Sequence, residues 1–113
     1  MPRNDSIEMG ELTDTAFYIL LSLMDAKHGY LIMKSIEEMT GNHFSIGPAS
    51  MYTTIKKLLS ANLIELLDED VEKRKTYIAT EKGVQLLVKE TERRREIVGH
   101  AEKILLSKGV LEG

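Results

Sequence analysis

The chain has 113 residues, 42% of them hydrophobic and 29% charged, with 15 Lys and Arg against 18 Asp and Glu and a formal net charge of −3. That is room for one small domain with an appended element, and no run approaches the roughly 18 apolar residues that a membrane span needs. The opening MPRNDSIEMGE lacks the apolar core of a signal peptide, and the absence of cysteine excludes disulfides and thiolate metal sites, so a cytoplasmic location is expected.

Residues 1–11 are polar and non-periodic and are expected to form a flexible N-terminal segment. Leu12 and Thr13 then offer a hydrophobic staple and an N-cap for a first helix running to about Ala26, with Ala16, Leu20, Leu23 and Met24 at helical spacing. KHGY breaks the pattern, and Gly29 suits a tight inter-helix turn. A second helix follows, buried through Ile32, Ile36 and Met39 and stopped at Gly41.

SIGPASMYTTIKKLL (45–59) opens the third helix. Pro48 suits its first turn, where a missing N–H is no loss, and Gly47 is the cap. Met51, Ile55, Leu58 and Leu59 face inward, and Asn62 tolerates a left-handed end. Ser50, Thr53, Thr54 and Lys57 fall at i, i+3, i+4 and i+7 on the opposite side, flanked by Tyr52 and Lys56. The whole chain is acidic, yet this window has no carboxylate. Hydroxyls and ammonium groups alone suit an acceptor-rich, negative surface such as the DNA major groove, whereas the plainer reading is a solvated helix face.

LIELLDEDVEKRKTYIAT (63–80) reads as a hairpin whose tip and second strand carry Lys73, Arg74 and Lys75. Alone, those cations would merely balance the acidic tip. Directly after the polar helix they complete the plan of a winged helix-turn-helix, in which the third helix enters the groove and the wing touches adjacent backbone. Thr80 caps a last helix with apolar positions Val84, Leu87, Val88, Ile97, Ala101, Ile104 and Leu105. At about 40 Å long it exceeds one small core, so its far half needs another surface to pack on. ERRRE within it reads as a solvated stripe with pairs such as Glu90 to Arg94. The expected class is α+β and mainly helical: a winged helix-turn-helix domain over 12–80 and a C-terminal dimerisation helix over 81–113.

No nucleophile with a base, carboxylate pair, phosphate-binding glycine loop or metal-ligand spacing appears, so neither an enzyme nor a cofactor or metal is expected. His28, His43 and His100 are isolated from one another, and His28 is expected to shape the turn.

HGY (28–30), GPASMYTTIKKL (47–58), NLIE (62–65) and RKTYIATEKG (74–83) together resemble the PadR-like family of bacterial transcriptional regulators. The likeness spans about residues 12 to 85, and the single long last helix looks like the short subfamily. It implies winged-helix DNA binding, a homodimer made through that helix and, in many members, release of DNA on binding a small molecule. Carried over, it places Ser50, Tyr52, Thr53, Lys56 and Lys57 on the recognition helix and Arg74 and Lys75 in the wing; whether Tyr52 meets a phosphate or packs on the core is open. Thr53 stands where many members have Pro and Asn62 where Gly is common, while Thr76 and Ala79 replace bulkier residues.

The resulting expectation is a homodimeric, ligand-responsive repressor on a pseudo-palindromic operator, its two recognition helices about 34 Å apart. Helix 48–61 reads the major groove, with Ser50, Tyr52, Thr53, Thr54, Lys56 and Lys57, and the wing 64–80 adds Lys73, Arg74 and Lys75. A small aromatic or drug-like effector would meet Met9, Leu12, Phe17 and Tyr18 at the dimer seam, although such residues are more often plain dimer core. The rival is a winged-helix module that docks on an acidic protein without specific DNA binding.

Overall fold

The computed structural model describes residues 12–69 and 74–112. In chain order it contains α1 (Asp14–Ser22), β1 (Lys27–His28), α2 (Gly29–Met39), α3 (Pro48–Ser60), β2 (Ile64–Glu69), β3 (Lys75–Ala79) and α4 (Glu81–Ser107). Three helices pack around a core of Ile19, Leu20, Ile32, Ile36, Met51 and Leu58, all fully buried, and the antiparallel sheet β1-β3-β2 closes one side. This is the winged helix-turn-helix arrangement, with a long C-terminal helix.

Thr13 caps α1 as expected, its Oγ1 accepting from the Ala16 N–H at 3.1 Å. The helix ends at Ser22, four residues before Ala26, because the Leu23 carbonyl accepts the Ala79 N–H at 2.8 Å and the chain is drawn into the sheet. Lys27 and His28, expected as part of a turn, pair with Tyr77 and Thr76 instead. Met24 and Met39, assigned to buried stripes, lie beyond the core at the helix ends and are exposed. Gly41, Asn42 and Asn62 adopt left-handed backbone, with Asn62 at the end of α3 as its residue type allows.

The wing returns to the core through a tight junction. Thr80 Oγ1 donates to the Asn62 carbonyl at 2.7 Å and accepts from the Gly83 N–H at 3.1 Å, while the Thr80 N–H bonds to Leu63 O at 3.0 Å. A Cβ on Gly83 would lie 2.1 Å from that same carbonyl, so only glycine fits where α4 crosses the chain. In the wing, the β2–β3 register shifts between Leu66 and Asp68, a bulge that bends the strand.

α4 has two unlike halves. Gly83, Leu87 and Glu90 are its buried positions, whereas beyond Glu90 every residue except Arg94 is exposed, including Ile97, Val98 and Ile104. The radius of gyration, 16.2 Å, exceeds the about 13 Å of a compact chain this long, because the helix projects from the core. ERRRE is correspondingly more than the expected solvated stripe. The buried Glu90 carboxylate accepts the Leu12 N–H at 3.1 Å and both Nε and Nη2 of Arg93 at 2.8 and 2.9 Å. Arg94 donates to Leu12 O at 2.6 Å and to Asp14 at 2.8 Å, stacks 4.4 Å from the Phe17 ring centroid, and stands 3.9 Å from Glu90. Both peptide groups of Leu12 are thus clamped to the middle of α4.

Candidate nucleic-acid interface

Burial of Met51, Ile55 and Leu58 sets the rotation of α3 and leaves Ser50, Tyr52, Thr53, Lys56 and Lys57 exposed; Thr54 is half-buried. Gly47 precedes Pro48 with extended backbone and offers no side-chain cap. Thr53 Oγ1 donates to Ala49 O and Thr54 Oγ1 to Ser50 O, both at 2.9 Å. Each hydroxyl therefore returns its proton to the helix, leaving oxygen lone pairs and a methyl for any partner. That face is better suited to a thymine methyl or a base amino group than a stripe of free hydroxyl donors.

Tyr52 packs and is exposed at once. Its side chain is 53% exposed, yet its hydroxyl lies so close to Gly29 that a Cβ there would be 2.6 Å away. The glycine of HGY thus makes room for the tyrosine of α3.

Arg74 and Lys75 are exposed at the start of β3, and Lys73 lies outside the described residues. A groove of about 420 Å³ runs between α3 and β3, with Tyr52, Thr53 and Lys56 on one wall and Lys75 and Tyr77 on the other. The fold therefore joins helix and wing across a surface with no carboxylate among the described residues of its lining. Burial chiefly, then the nearby Tyr52 and Glu69, push the Tyr77 phenol above the usual tyrosine range, so it is neutral at physiological pH. His28 was expected to shape a turn, and its Nδ1 lies 3.1 Å from Thr76 Oγ1, binding β1 to β3. His28 and Tyr30, whose position HGY had marked, were not among the expected site residues, yet they line a hollow together with Tyr52, Arg74 and Lys75.

Of the expected effector residues, Leu12 is buried in the core, and Phe17 and Tyr18 are half-buried. Tyr18 rests against Phe44 with centroids 4.8 Å apart and meets Phe17 edge-on at 6.4 Å. Met9 lies outside the described residues.

The model of the transcriptional regulator PadR-like family matches residues 19–89, well over half of the chain. No curated protein matches. Among solved structures, a transcriptional regulator from Clostridium thermocellum superposes with a TM-score of 0.73 at 19% identity, covering 90% of this chain and 97% of that one. A PadR family transcriptional regulator from Eggerthella lenta gives 0.68 at 22%, covering 79% and 75%. RosR of H. salinarum gives 0.64 at 22%, covering 87% and 94%. At these identities the superpositions speak for the fold.

Proposed function

This chain belongs to the PadR-like family of transcriptional regulators, and from that premise we propose that it is a homodimeric repressor that reads a pseudo-palindromic operator with α3 and grips the adjacent backbone with its wing. The observation that carries the reading is the surface joining Tyr52, Thr53 and Lys56 to Lys75, whose lining among the described residues holds no carboxylate. Ser50, Thr54 and Lys57 extend it along α3, and Arg74 extends it along the wing; Lys73, its neighbour in sequence, belongs to the same reading. DNA offers that surface phosphate oxygens on both sides of a groove edged with acceptors and methyl groups. Selection of bound duplexes from a random pool tests it: a defined operator should emerge, and binding should weaken steeply with salt. Shallow salt dependence with no recovered consensus would favour docking on an acidic protein instead.

In this reading the exposed apolar residues of α4 from Ile97 onward are covered by the α4 of a second copy. Residues 12–80 then form the DNA-binding unit and residues 81–113 the dimerisation helix. A chain ended after Glu96 keeps the clamp on Leu12 but loses that stripe, and it should sediment as a monomer where the full chain is a dimer. A dimer of the shortened chain would refute the assignment. A small aromatic effector would lodge at that seam against Phe17 and Tyr18, beside the buried Leu12, with Met9 the fourth residue of the same reading. Such a ligand regulates only through different affinities for two dimer arrangements of different half-site spacing.

A further inference from the structure

A second cleft, of about 400 Å³, separates the start of α2 from β3. His28 and Tyr30 form one wall, Arg74 and Lys75 the other, and Tyr77 lies between them. Tyr52, Lys75 and Tyr77 also line the groove along α3, so the two hollows form one continuous surface. Among the described residues, every polar side chain in the lining of this cleft can donate a hydrogen bond, and none is a carboxylate. His28 Nδ1 is engaged with Thr76, which leaves Nε2 for another partner. Tyr30 is 65% exposed and Tyr52 53%, so two large rings stand open to solvent around a donor-rich hollow. Exposed aromatic rings rimmed by polar groups mark a binding surface.

We infer that this cleft takes one phosphodiester of the operator backbone, its oxygens held by the hydroxyls of Tyr30 and Tyr52 and by Lys75, with the adjoining deoxyribose against the ring faces. The inference rests on the DNA-binding reading and adds to it a contact from α2, outside the recognition helix and wing. Continuity with the groove along α3 favours a polymer backbone over a free anion, since one strand can run through both hollows. Because a phosphate contact sets register and carries no base identity, the role of Tyr30 is to fix the depth at which α3 sits. Tyr52 transmits that placement, packed as it is against Gly29 at the start of the same helix.

The test uses the full chain and the duplex recovered by selection, with each phosphate replaced in turn by a neutral methylphosphonate. Tyr30→Phe should weaken binding roughly five- to tenfold, to the selected and to an unrelated duplex alike, with an unchanged salt slope because no charge is removed. One phosphate in each half-site should be coupled to it: its neutralisation should cost the wild type more than it costs Tyr30→Phe. Wild-type affinity of Tyr30→Phe, with no coupled phosphate, overturns this inference while leaving the groove reading intact. A full chain that binds no duplex overturns both. Displacement of the duplex by inorganic phosphate at constant ionic strength would identify a free-anion site and overturn the backbone assignment.

Discussion

The lysines of α3 and the arginines of α4 look alike in the sequence, and the fold treats them oppositely. Lys56 and Lys57 are exposed on a face whose neighbours are hydroxyls and a tyrosine, so their charge is directed outward. Arg93 and Arg94 are folded back onto Glu90, Asp14 and the carbonyl of Leu12. Among the described residues Lys56 and Lys57 have no ion pair, which leaves their charge to a partner, whereas Arg93 and Arg94 have carboxylates built in beside them. The decisive variable is the position of the acids, and tertiary structure sets that position.

Substitutions at the two regions should separate along this line. The largest effect is expected at Glu90→Ala, which leaves the buried Leu12 N–H without its acceptor and removes the carboxylate that Arg93 bonds. Folding stability should fall by about 3 kcal/mol in denaturant titration, while duplex affinity of the folded protein stays within about twofold. Unchanged stability would mean that the clamp is incidental. The hydrogen bond from Arg93 holds the Glu90 carboxyl below the usual glutamate range; burial opposes this, and the Leu12 N–H and both arginine charges assist it. A lowered native pKa stabilises the fold above the unfolded value of about 4.3 and loses that contribution as pH falls through the native value. Glu90→Gln should therefore flatten the acid limb of the stability profile.

Lys57→Glu should invert the pattern, weakening duplex binding about 100-fold, or about 2.7 kcal/mol, through charge reversal at a phosphate-facing site. Stability should move by no more than about 0.5 kcal/mol, because the side chain is exposed. Binding as tight as wild type would remove α3 from the interface. The smallest change is expected at Asp14→Asn. Its ion pair with Arg94 is largely exposed on the Asp14 side, so the loss should stay under about 1 kcal/mol, and a larger one would show that the clamp depends on that outer pair.

Much of the fold was legible locally. Thr13 and Thr80 announced their helices as caps, Pro48 opened α3, and Asn62 closed it, because each acts through bonds or dihedrals within a few residues. The apolar spacing of Met51, Ile55 and Leu58 likewise set which face of α3 turns outward, and with it most of the candidate site. Three things escaped that reading. The end of α1 is decided by Ala79, far along the chain. The strand character of Lys27 and His28 exists only through β3. The threonine hydroxyls were counted as outward donors, whereas competition from the helix carbonyls takes their protons.

The sequence by itself determined four amphipathic helices, a wing with cations on its second strand and an outer face of α3 free of acid, because periodicity, capping and charge placement are properties of neighbours along a chain. Only the tertiary structure decided that HGY and the wing face each other across a cleft, that Gly83 must be glycine, and that Arg93 and Arg94 of ERRRE join Glu90 in a clamp. Each of these depends on atoms far apart in sequence meeting within a few ångströms, as where Glu90 reaches Leu12 or a Cβ at Gly83 would strike Leu63. Local propensity carries no information about such distances.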